Sequence, residues 1–152
     1  MPNAITFSAI AFSKHGDDYH FGGNGPDDFD CSGYVGYVWR QLDLRQGDYT
    51  ADAMFDNFRL GNWPCVKVAP ADVQLGDLIF YGSGTHASHV VFGVSPGWVL
   101  GATGGGKNTT TDAIANNAGA AVRFDRAEKV GSHGVNKDCV GIFRMPMFGD
   151  KE

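Results

Sequence analysis

Three cysteines and five histidines supply the nucleophile and base chemistry open to this 152-residue chain, and Cys31 has the most suggestive surroundings. It follows a glycine-rich stretch, Gly22-Gly23-Asn24-Gly25-Pro26, that cannot be helical. It also opens a run in which Cys31, Val35, Val38 and Leu42 fall on one helical face. Asp30 stands where an N-cap would, so the spacing predicts a helix with Cys31 in its first turn. There the unsatisfied N–H groups and the positive end of the helix dipole favour a thiolate over a thiol. The competing role for Cys31 is that of a small buried residue that packs. A nucleophilic cysteine needs a base, normally a histidine within hydrogen-bond reach. His89 is the best placed: it heads the apolar run Val90 to Val94, behind Ala87-Ser88, so a strand would fix its backbone while the ring projects. His86 reads as a solvated loop residue after Gly82 to Thr85. His15, His20 and His133 sit in glycine-flanked loops.

The elements that must position these residues follow from pattern. Ile5 to Ser13 and Ala51 to Phe58 read as short helices, and Gly16 to Asp30 as a loop leading into the Cys31 helix. Leu78 to Tyr81, Val90 to Val94, Trp98 to Leu100, Val122 to Phe124 and Val140 to Met145 read as strands, with Thr111 to Asn117 a helical turn or two. Helices first and strands afterwards predicts an α+β fold with an antiparallel sheet, in one domain spanning residues 1–152. Trp39, Trp63 and Trp98 are expected in the core or as groove walls, with the core preferred for each.

Composition narrows the function classes. A net charge of −5 and no Lys/Arg cluster argue against nucleic acid as a partner, and no stretch is long enough to insert into a membrane. Cys31, Cys65 and Cys139 are widely separated, which supports neither a disulfide framework nor a zinc site. Met1 to Lys14 has no basic n-region and no long apolar core, so no secretory signal is expected. Gly101 to Asn108 nearly spells a phosphate-binding loop. Asn108 stands in place of the metal-binding hydroxyl, however, and no alternating strand–helix units surround the stretch. A substrate-groove rim or a glycine-rich turn beside the active site is the preferred reading.

Taken in order, four motifs resemble one family. Tyr19-His20-Phe21-Gly22-Gly23, then Phe29-Asp30-Cys31-Ser32-Gly33-Tyr34-Val35, then Leu75-Gly76-Asp77-Leu78, then Ser88-His89-Val90-Val91 look like the signature of the NlpC-type papain-like cell-wall cysteine endopeptidases. The resemblance implies a papain-like α+β domain with N-terminal helices packed on an antiparallel sheet. It implies Cys31 as thiolate nucleophile and His89 as base. Tyr19 would lie beside the nucleophile as an oxyanion donor, and Asp30 and Ser32 would line the substrate groove. Asp30 thus has two candidate roles, cap and groove. No metal or cofactor is required. The bond implied is an amide of the peptidoglycan stem peptide, between D-glutamate and the diamino acid.

Two positions depart from the pattern. Phe21 replaces a tryptophan. The third catalytic position, normally a polar residue that orients the base, falls on Gly101, which has no side chain to offer. A backbone carbonyl, a water, Thr103 or Asn108 are the available substitutes. The alternatives to an endopeptidase are an inert phage tail or assembly module retaining the fold, and an N-acetylmuramoyl amidase on the same fold. Without a signal peptide, the expected setting is synthesis in the cytoplasm. Action on the cell wall would then be as part of a phage virion or as a delivered effector, with phage tail or secretion-system components as partners.

Overall fold

A computed structural model describes residues 3–129 and 138–146. The helices are α1 (Ala4–Phe12), α2 (Cys31–Gln41), α3 (Ala51–Arg59) and α4 (Asp112–Ala118). The strands are β1 (Asp18–Tyr19), β2 (Asp28–Phe29), β3 (Val66–Lys67), β4 (Leu78–Ser83), β5 (His86–Ser95), β6 (Trp98–Thr103), β7 (Ala121–Arg126) and β8 (Asp138–Arg144). They form one sheet in the order β2-β1-β7-β6-β5-β4-β8-β3, antiparallel except for the β1–β2 pair. The α+β expectation holds.

Each helix begins where its capping residue dictates. Asn3, Asp30, Thr50 and Thr111 place a side-chain oxygen on a first-turn N–H of α1, α2, α3 and α4 respectively. The face predicted for α2 is buried in full: Cys31, Val35, Val38 and Leu42 all enter the main core. That core lies between the sheet and the helices. α2 packs across β5 and β6, and α3 across β5. Phe7 of α1 meets Phe92 of β5 edge-on at 4.9 Å, and the Tyr34 hydroxyl of α2 donates to the Ala11 carbonyl at 2.7 Å. A smaller apolar cluster of Val73, Ile79, Tyr81, Val91, Val99 and Ile142 covers the other face of the sheet. No described helix is long and apolar enough to cross a membrane.

The structure departs from the sequence reading in several places, the unpredicted two-residue strand β3 among them. The stretch 16–30, read as a loop, contains β1 and β2, two-residue strands too short to show any alternation. β5 begins at His86, because the hairpin pairs Ser83 with His86 around Gly84, whose φ of 60° suits glycine. Trp98 is 43% exposed rather than in the core, with Arg126 lying over its ring at 5.3 Å. Trp39 and Trp63 are buried as expected. His133 lies outside the described residues.

Candidate active site

Cys31 is the first residue of α2, 8% exposed, with its N–H at the open end of the helix. Asp30 sets that end. One carboxylate oxygen accepts the Gly33 N–H at 2.7 Å and the Ser32 hydroxyl at 3.4 Å, and the other accepts the Gly22 N–H at 3.0 Å. Both oxygens of Asp30 are thus occupied within the fold, which favours its role as cap and loop anchor over groove lining. The Gly23 carbonyl accepts the Asp30 N–H at 3.0 Å and presses against the first turn of α2. A Cβ on Gly33 would lie 1.8 Å from that oxygen, so only glycine fits there. The Asp-Cys-Ser-Gly run is therefore one mechanical unit: cap, thiol, cap partner, and a gap that admits the upstream loop.

Tyr19, on β1, is buried beside this unit. Burial pushes its ionisation up, and the nearby charges of Cys31 and Asp30 push it further. The phenol therefore stays protonated and is a standing hydrogen-bond donor next to Cys31. On its other side the glycine-rich loop closes in, and a Cβ on Gly105 would lie 2.3 Å from the Tyr19 ring. That loop is tied down by Thr109, whose hydroxyl accepts the Gly106 N–H at 3.0 Å and whose carbonyl accepts the Phe21 N–H at 2.7 Å. The stretch that mimics a phosphate loop is a wall beside Tyr19. The helix after it, α4, starts only at Asp112, where a phosphate loop would run straight into its helix.

His89 sits on β5, 9% exposed, across from Tyr81 of β4 with ring centroids 6.2 Å apart. Its aim is set by an irregularity. Tyr81 pairs with His89 while Gly82 pairs with Ala87, which leaves Ser88 as the extra residue of a β-bulge. The segment before the bulge is clamped from α3, where Asp52 accepts the Ala87 N–H at 2.9 Å and meets the His86 ring at 3.4 Å. That backbone N–H, the larger influence, together with His86 holds the Asp52 carboxyl below its usual range, against a smaller opposing effect of desolvation. His86 is exposed as expected, though it belongs to the strand.

The three residues considered for the third catalytic position fall in different surroundings. Gly101 is backed by Val91, whose Cγ1 would lie 2.6 Å from a Cβ at that position. Thr103 is buried, and its hydroxyl donates to Asp125 of β7 at 2.9 Å. Asn108 is exposed in the glycine-rich loop. Sequence reading did not single out Asp52, Tyr81 or Asp125. Among the described residues no group of three or more His, Cys, Asp and Glu is placed to hold a metal ion.

Residues 16–124 match the NlpC/P60 family. A probable endopeptidase p60 of Listeria seeligeri is 35% identical over 94 residues, covering 61% of this chain; the chain spans only 16% of that protein's length. The fold resembles the NlpC/p60 domain of the peptidoglycan hydrolase SagA, with a TM-score of 0.62 and 23% identity over 95% of this chain and all of that one. It also resembles RipD of Mycobacterium tuberculosis, described as a non-catalytic NlpC/p60 domain protein adapted to peptidoglycan binding, with a TM-score of 0.58 and 18% identity over 91% of this chain and 93% of that one. The papain-like architecture is shared across these domains.

Proposed function

The chain belongs to the NlpC/P60 family, and on that footing we propose that it is a cysteine endopeptidase of peptidoglycan stem peptides, cutting between D-glutamate and the diamino acid. The observation that carries the reading is Cys31 at the capped start of α2 with the protonated Tyr19 phenol beside it. The helix end lowers the cost of a thiolate on Cys31. The thiolate sulfur attacks the D-glutamyl carbonyl carbon, and the carbonyl oxygen takes up the negative charge. The Cys31 N–H and the Tyr19 hydroxyl are the donors for that oxyanion. As the C–N bond breaks, protonated His89 gives its proton to the leaving amine. His89 then takes a proton from a water, which attacks the thioester, and a second collapse releases the carboxylate and restores the thiol–imidazole pair. Ser32 acts here as a groove residue.

A second reading has one specific observation behind it. Gly101 has no side chain with which to orient His89, and a domain that only binds peptidoglycan has no need of one. Digestion of purified peptidoglycan by wild type and Cys31→Ala, with fragments identified by mass spectrometry, separates these. The endopeptidase yields new glutamyl carboxyl and diamino acid amine termini from wild type alone. Binding without cleavage by both proteins selects the inert module, and cuts at the sugar–peptide junction select an amidase.

A further inference from the structure

We propose that Thr103, its hydroxyl anchored by Asp125, orients the His89 imidazole in place of the side chain absent at Gly101. The inference rests on reading Cys31 and His89 as nucleophile and base. Its geometry comes from the β5–β6 pairing. Phe92 faces Leu100 and Gly93 faces Val99, and the close approach of Gly101 to Val91 carries the same register one step further. Continued two residues past the last paired position, that register sets Thr103 across from His89 on the same face of the sheet. Both residues are buried, Thr103 to 4% and His89 to 9% exposure.

The hydroxyl has the capacity the role needs. It carries one proton, given to Asp125 Oδ2 at 2.9 Å, and this leaves its lone pairs to accept an imidazole N–H. The same Asp125 oxygen accepts Arg123 Nε at 2.9 Å, so the carboxylate is itself held in place. Asp125 pairs with Val99 and Arg123 pairs with Gly101, so the contact from Thr103 to Asp125 passes the bare Cα of Gly101. Tyr81 links the two halves of the arrangement. Its ring lies 6.2 Å from that of His89, and its raised ionisation, due first to burial, also reflects the charges of Cys139 and Asp125. The proton on His89 does not move to Thr103. The hydroxyl fixes which ring nitrogen of the neutral imidazole carries it, so the other nitrogen faces the thiol.

Thr103 and Asp125 are positioning residues in this account, and the test reads orientation as well as rate. Wild type, Cys31→Ala, Thr103→Val, Thr103→Ser and Asp125→Ala are compared on a soluble muropeptide, with thermal unfolding and ¹⁵N imidazole spectra of each. Thr103→Val lowers kcat by about 100-fold at nearly constant KM, the scale of a misdirected general base. It also converts a single His89 tautomer into a mixture. Thr103→Ser keeps the hydroxyl, the tautomer and most of the rate. If Thr103→Val does not fold, Asp125→Ala, which frees the hydroxyl, must give the tautomer mixture instead. Wild-type kcat with an unchanged tautomer in Thr103→Val overturns the proposal, as does a Thr103→Ser variant as impaired as the valine. If wild type and Cys31→Ala are equally inactive, the catalytic reading fails on its own, and the tautomer spectrum still decides whether Thr103 holds His89.

Discussion

The Asp52 carboxylate on α3 accepts the backbone N–H of Ala87 at 2.9 Å, two residues before His89 and just ahead of the bulge at Ser88. A contact 35 positions apart in sequence thus fixes the strand that presents the proposed base. Asp52→Ala frees that N–H, and turnover is expected to fall about 10-fold or more while the protein remains folded, since a small misplacement of a catalytic group is felt strongly. Asp52→Asn keeps an acceptor and retains most of the rate. Steady-state kinetics with circular dichroism on each variant checks this.

The same carboxylate gives a pH dependence with a defined sign. Its ionisation in the folded protein is lowered from the ordinary value of 3.8, chiefly by the Ala87 N–H. A lowered value means that the charged form favours folding. The contribution is therefore present above the ordinary value and fades as pH falls below it, through the folded one. Thermal melts should show the wild-type advantage over Asp52→Asn shrinking between neutral and strongly acidic pH. A gap that widens on acidification contradicts the assignment.

Gly33→Ala tests the packing of the Cys31 unit. The new methyl would meet the Gly23 carbonyl oxygen at 1.8 Å and an Asp30 carboxylate oxygen at 2.8 Å. The first is backbone, which no rotamer change can move aside, so α2 must shift from the loop. A loss of about 3 kcal/mol is expected from overpacking of this kind, read by urea unfolding. At Gly105, where the neighbour is the Tyr19 ring, alanine should instead disturb activity more than stability.

Much of this site can be read from the sequence because its parts are local. The cap, the apolar stripe of α2 and the glycine gap all lie within Asp30 to Leu42, where helical spacing speaks directly. β1 and β2 were missed because two residues carry no period. Asp77 shows the other limit. It reads as part of a turn, yet it is 1% exposed and joined by two hydrogen bonds, at 2.8 and 2.9 Å, to Arg144 at the far end of β8. Asp52 and Asp125 escaped for the same reason, since their meaning lies in partners on other strands and helices. Trp98 was misplaced because its apolar run gives no sign of which end leaves the core.

The Asp77–Arg144 pair itself carries a prediction. Arg144→Met leaves a buried carboxylate supported by the Gln74 N–H at 2.8 Å, without its cation. Breaking one side of such a pair costs about 3 kcal/mol or more, and chemical denaturation should show it. Fold integrity and not the chemistry is at stake, so the activity of the folded fraction should match wild type.

Selective alkylation compares the three thiols in one experiment. Burial raises the Cys65 and Cys139 thiols above their ordinary value, which leaves them largely protonated at neutral pH. Cys31, at a helix start, should react with iodoacetamide at mildly acidic pH at least about 10-fold faster than either. Peptide mapping after brief labelling gives the ratio.

The central claim is that Cys31 forms a covalent bond to the stem peptide. Acid-quenched reactions of wild type with a muropeptide, mapped by mass spectrometry, test it without inference from products. A thioester on Cys31 carrying the fragment that ends in D-glutamate is expected, trapped by the acid quench during wild-type turnover. Fragments that accumulate with no acyl group on Cys31, or that Cys31→Ala releases at the wild-type rate, would contradict it.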